Sequence, residues 1–353
     1  MEISVERLQP IAAIAEELVR SGDMPSAVVA VANSRETLWT HVVPGEDGVA
    51  LDSIFLLASI TKPIVATAIM RLVEEGKLML SLPVARYLPE FGANGKQKVT
   101  AFHLLTHSSG MEENSFWNEL WERRTAPPTA EWQYEACCRS YLHYEPGSNH
   151  TYSTITFAVL AELIKRLSGL SQGEYLRQHI FEPLGMRSMG YRPTDPGKAA
   201  PVRRLHGMEE TTPEILEGFI ALEQPGSGLW STTADLVTFG QAYLRGGTYN
   251  GYHLLSRPAI EMMTQHYTRG AVDTSNGQPF NYSLGWGKPS YPPNGALLCS
   301  ERAFSHHGAT GTMLWIDPEY DLVVVFLSND WAHEDPSEAR GRILNVAYGA
   351  MEY

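Results

Sequence analysis

Ser59 and Lys62 form a Ser-x-x-Lys pair, the one such pair in the chain. Three residues of helix correspond to a rise of about 4.5 Å on nearly one face, so the hydroxyl and the ammonium can meet. A serine hydroxyl becomes an effective nucleophile when a neighbouring base removes its proton. The N–H groups at a helix N-terminus would also stabilise a developing oxyanion. The pair could therefore perform acyl transfer, although a capping serine beside a solvated lysine has the same spacing.

The residues around this pair predict that it begins a helix at the edge of a buried element. An apolar run, Phe55-Leu56-Leu57-Ala58, leads into Ser59. Pro63 is typical of the first turn of a helix. The helical pattern continues over residues 63–75 and stops at Gly76.

Runs of β-forming residues near both ends of the chain predict two hairpins. Residues 26–32 and 37–43 are joined by a polar turn, and residues 312–316 and 322–327 are joined by another. Because strands at both ends need partners, we expect one antiparallel sheet assembled from both termini.

Helical patterns supply the rest of the expected α+β fold. Amphipathic residues predict an opening helix over 5–20 and a closing helix over 337–351, and the middle of the chain is mostly helical. We expect a discontinuous α/β domain of residues 1–95 and 221–353, with helices flanking the sheet. An inserted helical domain of residues 96–220 would leave the active site in the cleft between the two.

Composition and charge exclude several classes of partner. The 353 residues include 27 basic and 40 acidic side chains, which gives a net charge of −13. Such a surface repels nucleic acid and anionic lipid, so neither is an expected partner. The sequence has no signal-peptide pattern or membrane-span pattern, and its three cysteines have no zinc-ligand spacing. We expect a cytoplasmic protein without a metal or organic cofactor.

Further short motifs occur in order between residues 50 and 330. They are Leu57-Ala58-Ser59-Ile60-Thr61-Lys62-Pro63, Leu72-Val73-Glu74-Glu75-Gly76-Lys77-Leu78, Leu88-Pro89-Glu90-Phe91, Leu104-Leu105-Thr106-His107-Ser108-Ser109-Gly110-Met111, Glu145-Pro146-Gly147, Tyr152-Ser153, Ile180-Phe181-Glu182-Pro183-Leu184-Gly185-Met186, Gly228-Leu229-Trp230-Ser231-Thr232, Leu284-Gly285-Trp286-Gly287 and His306-His307-Gly308-Ala309-Thr310-Gly311. In this order they resemble the serine β-lactamase-like family, which contains class C β-lactamases, D-Ala-D-Ala carboxypeptidases, D-aminopeptidases and related family VIII-type esterases. The resemblance implies a β-lactamase/transpeptidase-like fold.

The resemblance also implies catalytic roles. Ser59 matches the nucleophile, Lys62 matches its lysine, and Tyr152 matches the tyrosine of the second motif. Lys62 and Tyr152 are both candidates for the base. The backbone N–H groups of Ser59 and Ala309 would form the oxyanion hole.

Two positions depart from the pattern of enzymes that hydrolyse β-lactams. His306, with Gly308 two residues later, stands where class C β-lactamases have Lys-Thr-Gly, and Thr154 stands where Asn is usual. A histidine is mostly neutral at pH 7 and attracts a substrate carboxylate less than lysine does. A threonine cannot supply both an amide donor and a carbonyl. We expect His306, Gly308 and Thr154 to contact a substrate that differs from a β-lactam.

The sequence therefore predicts a serine hydrolase that forms an acyl-enzyme on Ser59, and specifically a carboxylesterase for small uncharged esters. A β-lactamase or D-amino-acid peptidase with the same site is an alternative. A penicillin-binding or sensor-like protein that is acylated without turnover is another, and an acyltransferase that passes the acyl group to another alcohol is a third. In each case the expected partner is a small ester or amide.

Two other motifs have structural explanations. Gly169-Leu170-Ser171-Gln172-Gly173 matches a nucleophile elbow, yet it follows a helical segment, so we expect Gly169 to end that helix and Ser171 to cap the next. His103 and His107 have metal-ligand spacing without a third ligand, and we expect His107 to be structural.

Overall fold

A computed structural model describes residues 2–111, 113, 129–205, 210–290, 296–330 and 337–352. Within these ranges the α-helices are α1 (Gln9–Arg20), α2 (Thr61–Glu74), α3 (Ala101–Leu105), α4 (Ala130–Arg139), α5 (Thr156–Ser168), α6 (Gln172–Leu176), α7 (Glu182–Leu184), α8 (Pro213–Ala221), α9 (Thr233–Leu244), α10 (Arg257–Thr264) and α11 (Ser337–Gly349). The strands are β1 (Glu2–Ile3), β2 (Ala27–Ala32), β3 (Thr37–Val43), β4 (Phe55–Leu56), β5 (Trp230–Ser231), β6 (Thr248–Tyr249), β7 (Tyr252–His253), β8 (Ala271–Val272), β9 (Pro279–Phe280), β10 (Phe304–His307), β11 (Met313–Asp317), β12 (Leu322–Leu327) and β13 (Met351–Glu352).

The central feature is a five-stranded antiparallel sheet with the order β10-β11-β12-β2-β3. Strand β12 joins the two halves of the sheet, because it pairs with β11 and also with β2, where Val324 lies opposite Val31. Both predicted hairpins are confirmed, and so is the α+β fold with a sheet built from both ends of the chain.

Both faces of this sheet are buried, which explains why β2 and β12 are continuous apolar runs. Successive side chains of a strand point to opposite faces. Val29 and Val31 therefore belong to a core beneath α1 and α11, and Val28 and Ala30 belong to a larger core that includes α2, α5 and α9. The predicted opening and closing helices thus cover the same face of the sheet.

Several strand pairs are too short to be predicted from the periodicity of the sequence. Strand β4 pairs with β5, and β8 pairs with β9, and each strand has only two residues. We predicted no strand between residues 230 and 300, because two residues are too few to form a pattern.

Gly169 and Ser171 have the structural roles predicted for them. Gly169 ends α5 in the left-handed conformation, with φ of 79°. The side chain of Ser171 accepts a hydrogen bond from the Glu174 N–H and so caps α6. Among the described residues, no helix has the length and apolar character needed to cross a membrane.

Candidate active site

Ser59 lies in a tight turn between a buried strand and a buried helix. Strand β4 pairs with β5, a 3-10 turn covers Ala58–Ile60, and α2 begins at Thr61. Ala58, just before Ser59, has φ of 47°, a conformation that costs energy for a residue with a side chain. Ser59 remains partly exposed, whereas the residues on both sides of it are buried. The turn therefore presents the Ser59 hydroxyl at an opening in the core.

Lys62 is fully buried beneath this hydroxyl. Its Nζ atom donates to Ser59 Oγ at 3.0 Å, to Thr154 Oγ1 at 3.2 Å and to the Gly226 carbonyl at 3.0 Å. Burial lowers the pKa of Lys62 to about 7, because a charged ammonium loses its hydration there, and the negative charge of Glu113 partly opposes this effect. A large fraction of Lys62 is thus neutral near pH 7 and can accept a proton.

The ring of Tyr152 also contacts Lys62. The centroid of its ring is 4.7 Å from Lys62 Nζ, and its backbone N–H donates to Asp273 Oδ2 at 3.2 Å. Burial raises the pKa of Tyr152 above the ordinary value, although a hydrogen bond with Ser59 lowers it in part. The phenol is therefore protonated at neutral pH and is positioned to donate a proton.

His107 contacts the segment that carries Tyr152. Its Nδ1 accepts the backbone N–H of Ser153 at 3.1 Å, and its ring lies 4.6 Å from the Tyr152 ring. Burial holds the pKa of His107 well below its usual value. These contacts match the structural role expected for His107. The other histidine of that pair, His103, exchanges hydrogen bonds with Thr100 at the start of α3. No metal-binding group of side chains occurs among the described residues.

Thr154 makes contacts that the sequence did not suggest. Its hydroxyl is bonded to Lys62, and its backbone N–H donates to Glu113 Oε2 at 2.8 Å. A Cβ atom on Gly226 would lie 2.7 Å from Thr154 Cγ2, so only glycine allows the Gly226 carbonyl to reach Lys62 here. Thr154 thus helps to hold Lys62, and contact with a substrate stays a prediction for this residue.

The end of β10 lies directly beside the turn that carries Ser59. A Cβ on Gly308 would lie 2.4 Å from the Leu57 carbonyl oxygen and 2.2 Å from Thr312 Oγ1, so this position needs glycine. The hydroxyls of Thr310 and Thr312 donate to the carbonyls of Leu56 and Leu57 at 2.8 and 2.9 Å. These contacts fix the turn after β10 against the segment that precedes Ser59. Ala309 is exposed in this turn, next to the opening.

His306 is buried in the wall of the site. Its Nδ1 lies 2.9 Å from the His307 carbonyl oxygen, which can only accept, so Nδ1 carries the proton. Its Nε2 is then the acceptor for the Tyr282 hydroxyl at 2.7 Å. Burial, reinforced by the charge of Lys62, lowers the pKa of His306 to about 3. In this arrangement the neutral ring has no N–H left for a substrate carboxylate. His307, the next residue, is exposed.

The arrangement combines a partly exposed hydroxyl, a buried amine near its point of half-protonation and a protonated phenol. These are the groups needed to make a serine nucleophilic and to return a proton to a leaving group. Sequence reasoning missed Glu113, Gly226, Tyr282, Thr310 and Thr312. Thr310 lay inside a motif that was singled out, and Gly226 lies in the Gly-rich run 226–228, whereas Glu113 and Tyr282 carried no signal at all.

The chain is similar to known proteins over almost its whole length. A family model described as Beta-lactamase matches residues 11–348. A relative from Salmonella enteritidis PT4 (strain P125109), named "Putative D-alanyl-D-alanine carboxypeptidase", is 26% identical over 324 residues, which are 83% of this chain and 72% of the relative.

Two solved structures share the fold. One is described as "EstCE1, a hydrolase with promiscuous acyltransferase activity", with a TM-score of 0.82 and 20% identity, covering 98% of this chain and 99% of the other. The second is a family VIII carboxylesterase, with a TM-score of 0.79 and 21% identity, covering 99% of both chains.

Proposed function

The chain belongs to the β-lactamase family, and on this premise we propose that it is a serine hydrolase that forms an acyl-enzyme on Ser59. The observation that carries the proposal is the 3.0 Å contact between Ser59 Oγ and the buried Lys62 Nζ. We propose further that it is a carboxylesterase that acts on small esters without a negative charge.

In the proposed reaction, Lys62 is the base. It is the better candidate because burial lowers the pKa of Lys62 to about 7, whereas burial raises the pKa of Tyr152 above its ordinary value. An efficient base has a pKa near the working pH. A neutral Lys62 is available at pH 7, and a phenolate at Tyr152 is not.

The proposed first step forms two bonds, Ser59 Oγ–C and Lys62 Nζ–H, and breaks two, the Ser59 O–H bond and the π bond of the substrate carbonyl. Lys62 takes the Ser59 proton, Ser59 Oγ bonds to the carbonyl carbon, and the backbone N–H groups of Ser59 and Ala309 stabilise the oxyanion. The intermediate then expels the alcohol, which receives its proton from Lys62, either directly or through the Tyr152 hydroxyl. Water attacks the acyl-enzyme by the same route. Each oxyanion donor would contribute about 10²–10³ in rate.

The preference for esters is supported by the charge of the site wall. His306 stands where class C β-lactamases have a lysine, and its neutral ring donates to the backbone and accepts from Tyr282. A substrate carboxylate would lose hydration here without gaining a matching cation at this position. The esterases among the structural relatives favour the same preference, and the carboxypeptidase name of the Salmonella relative favours the peptidase alternative.

A panel of p-nitrophenyl esters of increasing acyl length, assayed beside nitrocefin and a D-alanyl-D-alanine peptide, tests the proposal. The wild type should hydrolyse short esters with kcat/KM far above that for nitrocefin or the peptide. The variants Ser59→Ala, Lys62→Ala and Tyr152→Phe should each lose ester hydrolysis, by about 10³-fold or more for the first two. Ser148→Ala is the matched control, because this serine is exposed and bonds only to the local Glu145 carbonyl among the recorded contacts.

Three outcomes would overturn parts of the proposal. Ester hydrolysis by Ser59→Ala would remove the assigned nucleophile. Rapid nitrocefin or peptide turnover with poor ester hydrolysis would favour the lactamase or peptidase alternative. A stable adduct on Ser59 without steady-state product would favour a protein that is acylated but does not turn over.

A further inference from the structure

Glu113 places a carboxylate within a short chain of hydrogen bonds from the nucleophile. Its Oε2 accepts from the backbone N–H of Thr154 at 2.8 Å, the Thr154 hydroxyl contacts Lys62 Nζ at 3.2 Å, and Lys62 contacts Ser59 at 3.0 Å. Glu113 is also partly exposed, so its negative charge faces solvent as well as the site.

The charge of Glu113 reaches both catalytic side chains. It favours the protonated form of Lys62 and disfavours the phenolate of Tyr152. The other carboxylate in this region, Asp273, is almost fully buried, and it accepts from the backbone N–H of Tyr152 and from Ser275. Of these two carboxylates, Glu113 is therefore the one better placed to act on a substrate at Ser59.

Other charges of the described residues also act on the site. His306 is neutral, and the positive charge of Arg340 acts on His306 and His307, on the β10 side. Glu113 lies next to Thr154 and acts on Lys62. A positively charged group close to the Glu113 carboxylate would be attracted to it, because opposite charges interact strongly where water is partly excluded.

We propose that Glu113 determines specificity by binding an ammonium group of the substrate, a few bonds from the reacting carbonyl. This inference rests on the proposed hydrolysis at Ser59. It extends the substrate class from uncharged esters to small esters whose acyl part carries a positive charge.

The test compares two p-nitrophenyl esters of the same shape and leaving group. One carries a trimethylammonium group at the end of a butyryl chain, and in the other a tert-butyl group replaces the trimethylammonium. The quaternary nitrogen keeps its charge at every pH. After correction for the spontaneous hydrolysis of each ester, the wild type should prefer the charged ester in kcat/KM.

The variant Glu113→Gln keeps an oxygen that can accept from the Thr154 N–H but removes the charge. Its ratio of kcat/KM for the charged ester over the neutral ester should fall by about tenfold relative to the wild type. The control Glu6→Gln also removes one negative charge, from an exposed residue in the short 3-10 helix Glu6–Leu8. It should leave the ratio unchanged.

A second measurement needs only the wild type. Added NaCl screens charges, so it should lower kcat/KM for the charged ester more than for the neutral one. This comparison decides the question if Glu113→Gln is inactive toward both esters. An equal response to salt would then overturn the inference.

Failure of this inference is distinguishable from failure of the proposed function. Glu113 does not select the substrate if Glu113→Gln has the wild-type ratio of kcat/KM for the two esters, or if the wild type shows no preference for the charged ester. In both cases hydrolysis of the two esters would still require Ser59. If Ser59→Ala hydrolyses both esters, the proposed function itself is wrong.

Discussion

At the scale of single residues, the central feature is a lysine whose ammonium group is buried away from water. Lys62 Nζ has three polar partners, yet it also lies over the rings of Tyr152 and Phe157, 4.7 and 5.5 Å from their centroids. Removing water from the ammonium is what lowers its proton affinity. The same burial that makes Lys62 a base therefore has consequences for both rate and stability.

The first consequence is a pH dependence. Because burial lowers the pKa of Lys62 to about 7, and only the neutral amine accepts the Ser59 proton, kcat/KM for a neutral ester should fall about tenfold per pH unit below pH 7. The Tyr152→Phe variant should be slower but keep the same midpoint. A flat profile between pH 5 and 8, or a midpoint near the ordinary lysine pKa, would contradict Lys62 as the base.

The second consequence concerns folding. The pKa of Lys62 is lower in the folded protein than in the unfolded chain, so below about pH 7 folding must bury a charge, and stability rises as pH increases from 7 toward 10.5. Lys62→Met removes this cost, which is on the order of 5 kcal/mol, and loses smaller hydrogen-bond energies. We expect a higher Tm than wild type at pH 7 together with loss of hydrolysis, measured by calorimetry. A lower Tm would show that the hydrogen bonds of Lys62 outweigh its desolvation.

At the scale of elements, the site depends on how closely β10 approaches the turn before α2. Gly308 allows the approach, and two threonine hydroxyls fix it. Strand β10 is also the edge of the sheet next to β11, where His306 lies opposite Leu314. A small outward shift of this edge would separate Ala309 from Ser59.

Gly308→Ala tests this dependence. The added methyl would collide with the Leu57 carbonyl oxygen and with Thr312, so the strand must move. We expect a loss of kcat/KM of about 10²-fold, the effect of losing one oxyanion donor, and a lower Tm. Gly218→Ala, in the middle of α8 with open space around it, should be neutral or stabilise by about 0.5–1 kcal/mol. Wild-type activity in Gly308→Ala would mean that the approach of β10 does not matter.

Local patterns predicted elements well and packing partners poorly. Helix α2 was predictable because Pro63 is typical of a first helical turn and Gly76 of a helix end, and the two hairpins were predictable because runs of β-forming residues are joined by polar turns. Tyr282 and Glu113 gave no such signal, since each meets the site only through the fold of distant segments. His306 was predicted to contact substrate from its place in a motif, but only the structure shows that Tyr282 and the backbone engage its ring nitrogens.

At the scale of the whole molecule, helices from near the two ends of the chain pack together. Helix α11, near the end of the chain, packs beside α1 near its beginning, and both cover one face of the sheet. A buried hydrogen-bond chain strengthens this packing. Trp315 Nε1 donates to the Tyr348 hydroxyl at 2.8 Å, and that hydroxyl donates to Asp317 Oδ2 at 2.7 Å. The sequence predicted the strand and the closing helix, but not the link between them.

Tyr348→Phe should separate stability from catalysis. The change leaves the Trp315 N–H without its partner and removes one donor from Asp317, so the free energy of unfolding should fall by about 2 kcal/mol. Activity per folded molecule should remain at the wild-type value, because Tyr348 belongs to the core on the far side of the sheet from Ser59 and Lys62. Tyr141→Phe, at an exposed tyrosine, is the control for the hydroxyl itself. A kcat per folded molecule that falls together with the free energy of unfolding would contradict this separation.

The most direct test of the account is to locate the acyl group. The enzyme is mixed with excess p-nitrophenyl butyrate, quenched with acid within the first turnover, digested and mapped by mass spectrometry. We expect one butyrylated peptide that contains Ser59, with much less of it in Lys62→Met. Butyrylation at another residue, or steady hydrolysis with no acylated peptide, would contradict Ser59 as the nucleophile.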